Sequence, residues 1–291
     1  MTNGEQWVGA AVILLVASCT SNAREPIAAR PSEATTPRSV AALAANSSSA
    51  PEPIAIAPPA IEAPARPTDR FTLEDDQARP IEVYPPFANE GTAPFVVVLH
   101  ATCMQPSSVC DWFGNAGRDV GWLVCPSGNS TCAGEPDWNG PPKEKAAFLQ
   151  RAIDEVDEAL PTFVDARPGV LIGWSRGAFA ARDILYESLT DPAVASLSRR
   201  FRGLVLLAAH VTPDVEKLRA AGITRVVMGA GLYDGSKPTM TAAVESLRAA
   251  GMEARFVSLG NIAHVWPPDF EARMAEPIAW AAGLDGQRAP P

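Results

Sequence analysis

Short apolar segments rich in β-branched residues alternate with longer amphipathic segments along most of the chain beyond residue 80. We predict strands at 81–84, 95–100, 121–125, 169–173, 203–208, 225–230 and 254–259, with 81–84 at an edge. Their near-continuous hydrophobicity is typical of strands that are buried on both faces. The alternation predicts an α/β domain, in which a mainly parallel sheet of about seven or eight strands carries helices on both faces.

The amphipathic segments have the spacing of layer helices. In segment 143–160 one face collects the apolar residues Ala147, Leu149, Ile153, Val156 and Leu160. Segments 178–189, 240–250 and 269–282 are similar. The stretch 209–224, between two predicted strands, has room only for a short helix. We therefore expect no cap domain and an open cleft.

The N-terminus carries a targeting segment. The apolar run 8–18 is too short to span a bilayer but has the length of a signal-peptide core. It ends in Val16-Ala17-Ser18-Cys19, which resembles the lipobox of bacterial lipoproteins. The resemblance implies that 1–19 is a signal peptide with a lipidated Cys19, and that the exported protein is anchored to a membrane of the bacterial cell envelope. The alternative is a secretory signal cleaved near Cys19, which would give a secreted protein.

Between the signal and the domain lies a segment dominated by Ala, Pro, Ser and Thr. Residues 20–68 contain no aromatic residue and no glycine, so they lack the apolar area that would offset chain entropy. We predict a disordered tether at 20–68, a folded domain at 69–284 and a disordered tail at 285–291.

Charge and cysteine content narrow the function classes. The net charge of -9 argues against a nucleic-acid partner. Besides Cys19 there are four cysteines, and an even number in an exported chain favours two disulfides. We favour the local pairs Cys103 with Cys110 and Cys125 with Cys132. Metal binding is the weaker alternative because no CxxC pair occurs, and we predict no metal site.

The candidate nucleophile lies in an apolar strand that leads through a GxSxG motif into a small-residue helix. The sequence Gly173-Trp174-Ser175-Arg176-Gly177 follows Val170-Leu171-Ile172. Such a turn places a serine at the end of a strand, and the glycines let neighbouring backbones approach it. The N-terminus of the following helix favours a developing negative charge beside Ser175.

With this motif the sequence resembles the α/β-hydrolase superfamily, whose triad runs in the order nucleophile, acid, base. Ser175, Asp234 and His264 follow that order, and each of the last two comes just after a predicted strand. Asp269 is a reserve acid, although its position after the histidine breaks the order. The short layout is most similar to the dienelactone hydrolase, carboxylesterase and prolyl-oligopeptidase-like branch.

The resemblance also implies an oxyanion hole made by two backbone N–H groups. One belongs to Arg176, and the other to the loop after the strand 95–100. This loop reads His100-Ala101-Thr102-Cys103, where the superfamily usually has His-Gly. Thr102 is the predicted second donor and Cys103 the alternative.

Further side chains near the predicted rim are candidates for lining the cleft. Trp138, Trp174, Trp266 and His210 are in or beside rim loops, whereas His100 is expected to be structural.

The resemblance implies a serine hydrolase that cleaves a small carboxylic ester without a cofactor. The alternatives are a serine peptidase of the prolyl-oligopeptidase-like branch, and an inactive lipid-tethered binding protein on a hydrolase scaffold. The sequence does not indicate an oligomeric state.

Overall fold

An eight-stranded sheet forms the centre of this computed structural model, which describes residues 65–88 and 90–285. Its strands are β1 Phe71–Glu74, β2 Pro80–Tyr84, β3 Phe95–Leu99, β4 Trp122–Pro126, β7 Gly169–Trp174, β8 Phe201–Leu207, β9 Arg225–Ala230 and β10 Glu253–Ser258. A separate hairpin pairs β5 Ser130–Cys132 with β6 Glu135–Asp137. The predicted signal peptide with Cys19, the tether as far as residue 64 and the tail from 286 lie outside the described residues.

The strand order is β1-β2-β4-β3-β7-β8-β9-β10, and every pairing from β4 to β10 is parallel. The pairings of β1 with β2 and of β2 with β4 are antiparallel. In β3, β4 and β7 every residue is buried, as expected of strands covered on both faces. The predicted mainly parallel α/β architecture is therefore confirmed.

Helices cover both faces of the sheet. They are α1 Pro106–Arg118, α2 Pro142–Ala159, α3 Arg176–Glu187, α4 Leu197–Arg200, α5 Val215–Ala220, α6 Lys237–Ala249 and α7 Phe270–Ala281, with a 3₁₀ turn at Pro192–Val194. The core on one face includes side chains of α2, α3, α5 and α6, and the core on the other includes those of α1 and α7. Where described, the chain has no helix with both the length and the apolar character needed to cross a membrane.

The predicted strands agree with the observed ones to within two residues at each end, and the predicted helices to within three. Proline explains both ends of α2, which begins at Pro142, where the missing N–H costs nothing, and ends before Leu160-Pro161. The only helix between β8 and β9 is the short α5, which follows the loop at 208–214, as predicted.

The structure corrects three points. The strand predicted at 81–84 is not at the edge, because β1 pairs with its outer side. Helix α1 was not predicted, since Gly114 and Gly117 weaken its helical pattern. Gly117 is needed for packing: a Cβ there would lie 2.8 Å from the Leu123 side chain of β4. The hairpin β5–β6 was also missed because its strands are short and polar.

Candidate active site

Ser175 occupies a sharp turn between β7 and α3. Its φ of 52° and ψ of -114° are unusual for a residue with a Cβ. Neighbouring backbone holds this conformation: Ser175 N–H donates to the Leu207 carbonyl at 2.8 Å, and Ala178 N–H donates to the Ser175 carbonyl at 3.0 Å. The turn places Ser175 directly beyond the carboxyl end of β7.

The two motif glycines are required by close backbone contacts. A Cβ on Gly173 would lie 2.3 Å from the Gly177 carbonyl oxygen, and a Cβ on Gly177 would lie 2.0 Å from that of Leu99. These contacts bring the start of α3 against β7 and the end of β3. The spacing of the GxSxG motif therefore reflects packing on both sides of Ser175.

His264, in the loop after β10, contacts the serine directly. Its Nε2 lies 3.0 Å from Ser175 Oγ and its Nδ1 lies 2.9 Å from Asp234 Oδ2. Because an ionised carboxylate can only accept, Nδ1 carries the proton and Nε2 is left to accept from the serine hydroxyl. The imidazole is half-exposed, so one edge is accessible from solvent.

Asp234 follows β9 and is buried. Its Oδ1 accepts hydrogen bonds from the Ser236 N–H at 2.8 Å and the Ser236 hydroxyl at 2.7 Å, while Oδ2 faces His264. Burial acts to raise the pKa of Asp234, but the hydrogen bonds from Ser236 and His264 outweigh it and lower this pKa below its usual value. The carboxylate is therefore ionised at neutral pH and can stabilise a protonated imidazole.

Comparison with known proteins identifies the architecture around these three residues. No protein-family model matches the chain, and no curated protein matches it in sequence. Among solved structures, a carboxylesterase from Mesorhizobium loti is similar with a TM-score of 0.53 and 16% identity, covering 72% of this chain and 99% of the other. A thermophilic esterase from Thermogutta terrifontis also reaches 0.53, with 14% identity and coverage of 77% and 95%.

A Bacillus cereus carboxylesterase has a TM-score of 0.50 at 16% identity, covering 71% of this chain and 94% of its own. Together with the sheet order, these similarities decide the fold. The chain has the α/β-hydrolase fold. At this level of identity the likeness concerns the fold alone.

The residues of the predicted oxyanion hole lie after the end of β3 and at the start of α3. Arg176 is the first residue of α3, so its N–H has no acceptor within the helix. Thr102 is close by, because its hydroxyl accepts from Arg176 Nε at 2.9 Å. The left-handed residue of this loop is Cys103, with a φ of 50°, and not Ala101. Alanine in place of the usual glycine therefore costs no backbone strain, and Thr102 stays the predicted second donor.

A cavity of about 340 Å³ opens beside Ser175 and is lined by Thr102, Trp138, Lys145, Arg176 and Phe179. Of the predicted cleft residues, Trp174, Trp266 and His210 do not line it. Trp174 precedes the serine in β7, so its side chain points to the other face of the sheet and stacks on Trp266, with ring centroids 3.7 Å apart. His210 is exposed and lies 3.2 Å from the Thr239 hydroxyl.

Two other titratable groups contribute to structure. Asp269, the reserve acid, pairs with Arg273 at the start of α7, where Arg273 Nε donates to it at 2.7 Å. His100 is fully buried, and its Nδ1 lies 2.7 Å from the Ala101 carbonyl oxygen. Burial lowers the pKa of His100 to about 4, so its imidazole is neutral at physiological pH.

Lys145 and its surroundings were missed by the sequence analysis. Lys145 and Leu149 lie on the apolar stripe of α2, where a lysine is unusual. A lysine on this stripe could have indicated a buried charge, but the sequence did not show what its side chain would contact. In the described ranges, no group of three or more His, Cys, Asp or Glu side chains is arranged to hold a metal ion.

The structure contains two disulfides, but both predicted local pairings are wrong. The bonds join Cys103 with Cys132 and Cys110 with Cys125. Cys110 lies on the buried face of α1, directly against Cys125 of β4. This leaves Cys103, in the loop before α1, to bond the hairpin residue Cys132. The pairing follows from α1 and the hairpin β5–β6, neither of which was predicted.

Proposed function

We propose that this chain is a serine hydrolase that cleaves carboxylic esters through an acyl-enzyme. The observation that carries the proposal is the continuous hydrogen-bonded chain from Ser175 Oγ through His264 to Asp234, with distances of 3.0 and 2.9 Å. Such a chain lets a weak nucleophile lose its proton as it attacks. The esterases among structures of the same fold support the choice of reaction.

In the first half-reaction, Ser175 Oγ attacks the ester carbonyl carbon while His264 Nε2 accepts the hydroxyl proton. Asp234 keeps the imidazole oriented and stabilises its positive charge. The N–H of Arg176 and that of Thr102 would bind the oxyanion. His264 then returns the proton to the leaving alcohol, and the acyl group remains on the serine.

In the second half-reaction, water attacks the acyl-enzyme and gives its proton to His264. The tetrahedral intermediate collapses, the carboxylic acid leaves, and Ser175 regains its proton from His264. Because the imidazole is half-exposed, water can reach it without a large movement of the chain.

An ester is the preferred substrate because the cleft is open. A peptidase of the prolyl-oligopeptidase-like branch, or an inactive binding protein, would share the scaffold and differ in activity. Hydrolysis of 4-nitrophenyl acetate but not of aminoacyl or prolyl 4-nitroanilides would support the esterase. The reverse preference would assign a peptidase.

The direct test is labelling with a fluorophosphonate probe, which reacts with activated serines. We expect wild-type protein and the control Ser246→Ala, altered at an exposed position of α6, to be labelled, and Ser175→Ala to be unlabelled although folded by circular dichroism. Labelling of Ser175→Ala equal to wild type would assign the nucleophile elsewhere. Absence of labelling in every variant would favour the binding protein.

We also propose that Cys19 anchors the exported protein through a lipid. Two disulfides in the folded domain support an oxidising compartment. Metabolic labelling with a palmitate analogue should mark the wild type and not Cys19→Ser. An unlabelled wild type found in the medium would support the secreted alternative.

A further inference from the structure

The cavity beside Ser175 differs from a typical apolar substrate pocket because its wall contains two basic side chains. Lys145 and Arg176 both line it, together with Trp138 and Phe179. Its volume of about 340 Å³ falls within the range of small-ligand sites. The chain as a whole carries a net charge of -9, so these cations do not belong to a generally basic surface.

Lys145 is held at this wall by a buried ion pair. Its side chain is 11% exposed, and Nζ lies 2.7 Å from Asp183 Oδ2. The ammonium group has three N–H donors, and this contact uses one. The other oxygen of Asp183 accepts from Arg182 Nη2 at 2.6 Å. One carboxylate is therefore shared by two cations, and the group carries a net charge of +1.

Arg176 approaches the cavity from the turn that holds the nucleophile. Its Nε donates to the Thr102 hydroxyl at 2.9 Å, and the carboxylate oxygen Asp137 Oδ1 is 3.5 Å from the same nitrogen. That distance allows charge compensation but exceeds that of a good hydrogen bond. With Arg176 and Asp137 balanced, the excess charge of the wall comes from the group around Lys145.

Trp138 contributes its buried ring to this wall. Its indole N–H has no hydrogen-bond partner within the described part of the chain, but the nitrogen is itself buried, so it does not count among the donors of the cavity. Phe179 adds an apolar surface to the cavity wall.

We propose that this cavity binds a carboxylate of the substrate, so that the preferred ester carries a free carboxylate group in addition to the scissile bond. Lys145 is the main charge partner, and Arg176 supplies further donors. The proposal rests on the proposed esterase function and specifies its substrate class. Donors on cationic groups form strong hydrogen bonds to carboxylates, and neutral esters would leave them unpaired.

The test uses two pairs of substrates, each made of an anionic ester and its neutral methyl ester. In 4-nitrophenyl hydrogen glutarate the carboxylate is on the acyl side of the scissile bond. In 4-acetoxybenzoate it is on the alcohol side. We expect the anionic member of one pair to have a kcat/KM about tenfold or more above its neutral partner, mainly through KM. The preferred pair shows which side of the ester enters the cavity.

Variants of one helix separate a specific role from a general charge effect. Lys145→Met leaves Asp183 paired with Arg182 and should reduce the ratio of anionic to neutral kcat/KM about tenfold, whereas Lys145→Arg should restore part of it. The control Lys143→Met removes the same charge from an exposed position of α2, where Nζ lies 3.4 Å from Asp191, and should keep the wild-type ratio.

A measurement independent of turnover is protection from the fluorophosphonate probe. Free glutarate should slow labelling of wild type and of Lys143→Met, and have a weaker effect on Lys145→Met. Equal or better cleavage of the neutral ester in both pairs, with normal labelling, would overturn the carboxylate proposal alone. No cleavage of any ester and no labelling would overturn the esterase function as well.

Discussion

His264 Nε2 lies 3.0 Å from Ser175 Oγ, although 89 residues separate the two in the chain. The two side chains meet because both residues follow the carboxyl ends of parallel strands, β7 and β10. Between them in the sheet lie β8 and β9, and Asp234 follows β9. The hydrogen-bonded chain thus depends on the strand order as well as on three side chains.

The turn at Ser175 should not tolerate a larger residue at Gly177. In Gly177→Ala the new Cβ would lie 2.0 Å from the Leu99 carbonyl oxygen, so α3 or β3 must shift and the serine hydroxyl must move with it. We expect kcat/KM to fall about a hundredfold or more, since a displacement of an ångström is enough for such a loss.

Gly235→Ala is the matched control. A Cβ there meets only His210 Nε2, at 3.8 Å, and its φ is not positive. Activity within about threefold of wild type is expected, because a surface substitution without steric conflict has a small effect. Similar losses in both variants would mean that the effect at Gly177 is not steric.

Asp234→Asn should lower kcat by about a thousandfold or more while the protein stays folded. An amide can present its N–H₂ group to His264, which favours the imidazole tautomer that cannot accept the serine proton. The measurement is ester hydrolysis under saturating substrate. Asp269→Asn, which removes the reserve acid, should leave kcat nearly unchanged because Asp269 pairs with Arg273. A loss below tenfold in Asp234→Asn would move the acid role elsewhere.

The parallel strands and the order Ser175, Asp234, His264 could be predicted from sequence because both are local patterns. Each of these residues lies next to a strand end that its own neighbours define. The disulfide partners depend instead on α1, whose glycines weaken its helical pattern in the sequence, and on the hairpin β5–β6, whose strands are short and polar. The wall around Lys145 could not be predicted because it joins residues from α2, α3 and the segment after β6, whose proximity exists only in the folded chain.

The two disulfides should have different roles. Cys110 and Cys125 are fully buried, and the bond spans 15 residues of sequence. Replacing both by serine should lower the free energy of unfolding by about 3 kcal/mol, while the folded fraction keeps near wild-type kcat/KM. Denaturant titration and an esterase assay on the same samples measure both quantities.

The bond from Cys103 to Cys132 instead fixes the loop that carries Thr102. In Cys103→Ser/Cys132→Ser we expect kcat to fall roughly tenfold or more, because an oxyanion donor on a looser loop is less well placed. Unchanged kcat in this variant would remove the loop from the oxyanion hole.

His100 should make the protein sensitive to mild acid. Its pKa in the folded protein is about 4 because it is buried, whereas the unfolded chain has a pKa near its ordinary value of 6.5. As pH falls below 6.5, His100 is protonated in the unfolded state but stays neutral in the native state. The free energy of unfolding should therefore decrease between pH 6.5 and 4, by about 3 kcal/mol in total. Urea titrations at several pH values in this window measure the slope.

The variant His100→Asn isolates this contribution. Its amide N–H₂ can replace Nδ1–H as the donor to the Ala101 carbonyl, and it does not titrate. Its stability should change much less between pH 6.5 and 4 than that of wild type. Should His100→Asn fail to fold, NMR titration of the wild-type imidazoles gives the answer directly, because His100 must then titrate below pH 5. A His100 that titrates near 6.5, or parallel slopes in wild type and His100→Asn, would contradict the prediction.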